Sequence, residues 1–189
     1  MREVPVVATI GILAGVFFTL ALTLLAVAFI AKSQLADRLS SWAFLAFEIL
    51  MIPVIVEIHR RYVDHTALTW LATATGLAAM VVLIVSGALV LAGRVTFARV
   101  GAVQAGAFAV FTVWVAATSW FALTFGGLPA GLAWLGFAAI VVTLGAIAWM
   151  MRDRALVRGE RPPNRAEMAM GVVPFIALAA WLIWLGASL

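Results

Sequence analysis

The sequence predicts an all-α polytopic membrane protein, a single bundle of six transmembrane helices, and three observations predict it. Hydrophobic residues make up 66% of the chain and charged residues 11%, against roughly 45–50% apolar residues in soluble domains. The apolar residues fall into six runs, each near the ~20 residues needed to cross a hydrocarbon core of ~30 Å. The 12 lysines and arginines lie in the segments at the ends of those runs, where basic residues set topology and meet anionic lipid. With connections this short, residues 1–189 are expected to form one domain.

The first span, about Val6 to Ala31, has a longer apolar run than a signal-peptide core and is expected to be retained as a helix. Its Gly11 and Gly15 form a G-x-x-x-G pair, which lets a neighbouring backbone approach closely; packing within the bundle is the expected use. The first loop holds Lys32, Asp37 and Arg38. The second span runs from Ser41 and Trp42 to near Ile58. The third, about Ala67 to Ala92, has Thr69, Thr73, Thr75 and Ser86 as its polar side chains, and hydroxyls in such helices usually bond carbonyls of the preceding turn. Arg94 and Arg99 lead into the fourth span, Val100 to about Thr124, which carries Gln104. The turn FGGLPAG, Phe125 to Gly131, joins it to the fifth span, Leu132 to Met151. A basic loop follows, in which Pro162 and Pro163 forbid continuous helix. The sixth span, about Gly171 to Leu189, places Pro174 in its first turn.

The absence of cysteine excludes disulfides, thiolate metal sites, iron–sulfur clusters and cysteine nucleophiles. Both histidines, His59 and His65, stand at one helix end, whereas a bis-histidine haem takes ligands from opposite faces of the macrocycle. The one lysine, Lys32, ends the first span and so is not placed for a mid-membrane Schiff base. No metalloprotease, nucleophile-elbow or phosphate-loop motif occurs. No cofactor, metal or catalytic residue is therefore expected, and the net charge of +4 belongs to loop topology, so nucleic acid is not an expected partner.

One ionisable group survives this elimination. Glu48 lies well inside the second span, and an ionisable side chain there costs several kcal/mol unless it is paired, hydrated or neutralised. The candidate intramembrane polar site is Glu48 with Gln104, Arg99 and Pro53: Gln104 or Arg99, starting the fourth span from the same side, should lie within hydrogen-bonding distance of the acid or share a water-filled cavity with it, and Pro53 frees a backbone carbonyl and allows a bend. A structural use is equally expected, in which Glu48 is a protonated acid hydrogen-bonded to Gln104 or a hydroxyl as interhelical glue. Glu48, Ile52, Ile55, His59 and Tyr62 share one face at helical spacing. The second candidate is an interfacial cluster of Glu57, His59, Arg60, Arg61, Asp64 and His65. Its nitrogen and oxygen ligands suit a divalent ion, but the two arginines oppose one, and Glu57 is better placed to pair with Arg60 or Arg61 at i,i+3 or i,i+4.

The segments FEILMIPVIVEIHRR, GLPAGLAWLG and ALAAWLIWLG together resemble a family of small bacterial membrane proteins of unknown function. In that family a second helix containing Leu and Glu ends in Arg, an L-P-x-x-L-x-x-L-G turn opens the fifth helix, and a W-L-I-x-x-G segment closes the chain. The resemblance implies six helices in one bundle, with Glu48, Pro53, Arg60, Gly127, Pro129, Trp181 and Gly186 as pattern positions. It implies no activity and no substrate.

The expected function is an integral membrane protein that binds or transports a small hydrophobic molecule or lipid; the alternative is an accessory or structural subunit of a larger membrane complex. An intramembrane enzyme is disfavoured because no second catalytic group shares the depth of Glu48. Expected partners are membrane lipid, a small apolar ligand, and a membrane-protein partner or second copy. Localisation is expected at the plasma (cell inner) membrane. Nine cations lie in the first, third and fifth loops against three in the N-terminus and the second and fourth loops, which predicts external N- and C-termini. In intact cells, a membrane-impermeant thiol reagent should label a cysteine placed after Leu189 and spare one placed at Arg158; the reverse result would invert the orientation.

Overall fold

A computed structural model of the chain describes residues 6–151 and 165–189; the segment containing Arg2 and Glu3, and the basic loop with Arg152, Pro162 and Pro163, lie outside the described residues. Six helices appear there, and no strand among the described residues: α1 Val6–Ala31, α2 Gln34–Tyr62, α3 Leu68–Leu91, α4 Phe97–Phe125, α5 Ala130–Met151 and α6 Arg165–Ser188. The first four are long and apolar enough to cross a membrane, and shorter apolar stretches occupy 130–145 and 175–188.

Helix starts differ most from expectation, and in each case a polar segment has joined the helix. α2 begins at Gln34, seven residues before Ser41. Ser33 caps it, its Oγ accepting from the Ala36 N–H at 3.3 Å, and Asp37 in the first turn favours the positive end of the helix dipole. Asp37 and Arg38 are therefore helical, and the sharp turn before them is made at Lys32, φ 51°. α4 likewise begins at Phe97, which brings Arg99 into its first turn. α6 begins at Arg165, so Pro174 lies in the helix interior and not in the first turn as expected.

Each helix packs on its neighbours in sequence, and α6 returns to pack on α1, closing a ring of six; α2 also touches α4 across the middle. Closure depends on small residues. A Cβ on Gly11 would stand 2.6 Å from Gly186 Cα, and one on Gly15 would stand 2.5 Å from Ile183 Cγ1 and 2.9 Å from its nitrogen. As the position rises on α1 it falls on α6, so the two helices run antiparallel. The G-x-x-x-G face therefore packs within the chain, with backbones in close approach.

Aromatic rings fill the middle. Phe18 packs on Phe47 with centroids 4.7 Å apart, Phe47 on Phe111 at 6.2 Å, Phe111 on Trp114 at 5.4 Å, and Trp114 on Trp181 at 5.9 Å. All five are essentially fully buried. They come from α1, α2, α4 and α6, so the column ties opposite sides of the ring together. Gly76 of α3 accommodates Trp114, whose ring carbon would lie 2.8 Å from an added Cβ. At Gly136 of α5 an added Cβ would collide with Ser119 Oγ and stand 2.7 Å from Trp181 Nε1.

Gly15→Leu should lower stability in detergent by about 1–3 kcal/mol through overpacking. Gly106→Ala, where an added Cβ meets nothing within 4 Å, should leave it unchanged or raise it by up to about 1 kcal/mol. Equal thermal midpoints for wild type and Gly15→Leu would contradict the observed closure.

Candidate functional site

Glu48 is 6% exposed and stands as far from Gln34 as from Tyr62, at the midpoint of α2. Its residue neighbours on the inward face, Phe47 and Met51, belong to the core. The lengthened start of α2 accounts for this central position, since two further turns now precede Ser41.

The hydrogen bond expected from Gln104 or Arg99 is not made at the buried oxygen: Glu48 Oε2 has no hydrogen-bond partner. It faces α3 instead, 3.7 Å from where a Cβ on Gly87 would stand. Register explains the difference. His59 lies beside Thr73 and Glu48 beside Gly87, so the antiparallel pairing of α2 with α3 turns this edge of α2 toward α3. Gln104 does lie near the same level. Gly76 abuts Trp114, and Gly87 and Gln104 are each about three turns away from that contact in the same direction. Gln104 is half-buried at the head of the inward stripe of α4 that continues through Ala107 and Phe111, whereas Arg99 is exposed. Pro53 sits within an uninterrupted helix and has no N–H to give to the Ile49 carbonyl.

The interfacial residues do not converge. Glu57 pairs with Arg61, Oε1 to Nε 3.4 Å, as expected from i,i+4 spacing. His59 Nδ1 lies 2.9 Å from Thr73 Oγ1, and the Thr73 hydroxyl donates to the Thr69 carbonyl at 2.8 Å. The hydroxyl must therefore accept from His59, which assigns a hydrogen to Nδ1. The imidazole also packs edge-on to Trp70, centroids 4.3 Å apart. His65 stacks on Phe125 at 5.2 Å, and Arg60 and Asp64 are exposed. Among the described residues no group of three His, Asp or Glu side chains is placed to hold a metal ion.

What the end of α2 does instead is bind main chain. Tyr62 donates its hydroxyl hydrogen to the Gly126 carbonyl at 2.7 Å. Arg61 donates to the carbonyls of Gly127 and Ser188, each at 3.4 Å, and to the Leu189 main-chain oxygen. Gly126 and Gly127 have φ of 75° and 79°, a left-handed turn natural to glycine, and it presents both carbonyls to α2. Of the hydroxyls on α3, Thr73, Thr75 and Ser86 bond their own preceding turn as expected. Thr69 reaches across to the Tyr62 carbonyl at 3.0 Å.

A second buried polar group has no counterpart in the sequence reading. Thr118 Oγ1, Ser119 Oγ and Trp181 Nε1 are buried without hydrogen-bond partners, and the last two meet over Gly136. Only the packing of α4, α5 and α6 brings them together. The one available signal was Trp181 and Gly136 standing in two of the motifs that carry the family resemblance.

No protein-family model, curated protein or solved structure matches the chain.

Tyr62→Phe should cost about 1 kcal/mol, the usual net value of one hydrogen bond, because the Gly126 carbonyl loses its donor while the ring packing on Phe121, 5.4 Å, is kept. A chemical-denaturation midpoint in detergent identical to wild type would show that the turn is held without this bond.

Proposed function

We propose that this protein is a six-span membrane protein of the plasma membrane, of the small bacterial kind it resembles in sequence, and that it binds or transports a small hydrophobic molecule at Glu48. The observation that carries the proposal is a buried carboxyl oxygen with no partner, held at the midpoint of a 29-residue apolar helix. Such a group is costly in hydrocarbon, and a bridge between helices through this oxygen would have supplied it with a donor. A site that meets its partner from outside the chain has no such requirement.

The six-span reading is supported by the up-and-down ring and by the lengths of α5, 22 residues, and α6, 24 residues. Its boundaries are supported by exposed tryptophans, the residues that favour both interfaces. Trp70, Trp120, Trp134 and Trp184 lie toward the end of the bundle where Arg61 meets Leu189, and Trp42 lies toward the other. External termini are supported by charge. Lys32, Arg38, Arg94 and Arg99 are exposed together at the Trp42 end, whereas at the opposite end Arg60 is exposed and Arg61 is engaged by Glu57 and main chain.

In the accessory-subunit reading, small-residue faces contact a partner; here the G-x-x-x-G pair, Gly11 and Gly15, is spent with Gly186 on ring closure, whereas Gly106 on α4 stays open. Wild-type protein purified in mild detergent should retain a co-purifying small molecule or lipid visible by native mass spectrometry. Its occupancy should fall about tenfold or more in Glu48→Gln through loss of a charge-assisted hydrogen bond. Retention of a protein partner with the same small-molecule content in wild type and Glu48→Gln would overturn the proposal in favour of an accessory role.

A further inference from the structure

The surroundings of Glu48 specify the class of ligand, an inference that rests on the ligand-binding reading above. Charge comes first. α2 packs on α1, α3 and α4; α1 and α3 contain no ionisable side chain, and α4 brings Arg99, exposed at its start. On α2 itself the nearest charged residues are Arg38 before Glu48 and Glu57 after it, each more than about two turns away; Asp37 and His59 lie farther still. Nothing facing the carboxyl from these helices supplies it with a positive charge.

Space comes second. A Cβ built on Gly87 would find one atom within 4 Å, Glu48 Oε2 at 3.7 Å. The side chain missing at Gly87 therefore leaves an opening of at least methyl size, and an unpartnered oxygen of a 6% exposed residue is aimed into it. Leu83 and Ile84, one turn before Gly87, and Val90 and Leu91, one turn after it, are apolar and buried or half-buried, so apolar side chains border the notch.

Half-buried Gln104 on α4 is a neutral polar side chain near this level, and the carboxyl oxygen it leaves without a partner is satisfied by a proton or by a cation that donates hydrogen bonds. A calcium or magnesium ion demands about six or more oxygen ligands, which one carboxyl beside a glycine does not offer. We infer that the site accepts a small aliphatic ammonium group on an apolar body and exchanges it for the carboxyl proton. In the exchange the neutral carboxylic acid of Glu48 gives up its proton to solvent, and the resulting carboxylate pairs with the incoming alkylammonium ion. The site thus gains one positive charge and loses one, and no covalent bond to carbon changes. Gly87 sets the size limit, because any side chain there occupies the place of the ammonium group.

The test uses the full chain in non-ionic detergent, near neutral pH, in weak buffer with a pH indicator, titrated with octylammonium chloride or with octanol. Octylammonium should bind saturably and release close to one proton per molecule bound; octanol should release none and bind more weakly. Glu48→Gln should abolish the release, and Gly87→Val should weaken octylammonium binding about tenfold or more by filling the notch. Helicity and elution volume would report whether each variant folds. Should either fail to fold, Gly87→Ala, whose added methyl meets Oε2 at ordinary contact distance, should show the same weakening in smaller measure. Binding without proton release, or release undiminished in Glu48→Gln, would overturn the exchange. Octanol binding as tightly as octylammonium would overturn the ammonium class and leave the hydrophobic-ligand reading standing. Failure of both probes to bind would end both.

Discussion

Backbone contact between α1 and α6 is the constraint on which the rest of this bundle depends. Five of the six helix pairs in the ring are neighbours in sequence and are brought together by their connections; the sixth pair has no such help. It must be held by packing alone, and in an apolar medium packing means van der Waals contact at close range, with no hydrophobic drive between helices. Gly11, Gly15 and Gly186 supply the closeness. The spacing they permit also sets the circumference of the ring, and with it the width of the interior. That interior suits a single column of large rings, Phe18, Phe47, Phe111, Trp114 and Trp181. A wider closure would leave those rings with gaps, and lost contacts in a core are felt even at sub-ångström distances.

The two ends of the ring are finished differently. At one end α2 provides two long side chains that bind main chain of other elements: Tyr62 on the turn after α4, Arg61 on that turn and on the last residues of the chain. All of these acceptors are carbonyls at or beyond the ends of helices, the groups that lack partners within their own helix. One helix end thereby satisfies two others and brings α4, α5 and α6 into register with α2. The consequence for the site is mechanical. Glu48 is carried on a helix fixed at its far end and packed on three neighbours, so the position of its carboxyl is set by the scaffold and not by a partner of its own.

Much of the fold was legible because apolar run length and loop charge are local properties. Helix existence and order followed from them, as did the Glu57–Arg61 pair, which needs only i,i+4 spacing. Helix starts were less legible. The segment from Gln34 to Ser40 reads as loop by polarity, yet Ser33 and Asp37 are good residues for starting a helix, and capping chemistry outweighed hydropathy there. The prominence of Glu48 was also legible, since a lone acid in an apolar run is visible without a structure. The glycine beside its buried oxygen was not. Equal depth along two helices suggested Gln104, but depth leaves the rotation of each helix open. The α2–α3 register, fixed by contacts such as His59 with Thr73, turns the carboxyl toward a glycine that sequence gives no reason to single out. The convergence of Ser119 and Trp181 on Gly136 is hidden for the same reason, because three helices must be packed before it exists.

Pro53 adds a last element at the same level. Proline has no N–H, so the Ile49 carbonyl, which an uninterrupted helix would satisfy from position 53, loses its regular donor. That carbonyl belongs to the residue after Glu48. On adjacent residues, then, α2 carries a carboxyl oxygen without a partner and a carbonyl deprived of its helical one. The unpartnered carboxyl is the larger cost, several kcal/mol in an apolar span, and the carbonyl adds the loss of one hydrogen bond, about 1 kcal/mol. Their adjacency in a helix otherwise apolar through its middle concentrates polar groups that the helix itself does not satisfy. Proline thus places a backbone deficit one residue from the side chain whose buried oxygen has no partner, and the middle of α2 is where this helix departs furthest from a uniformly satisfied span.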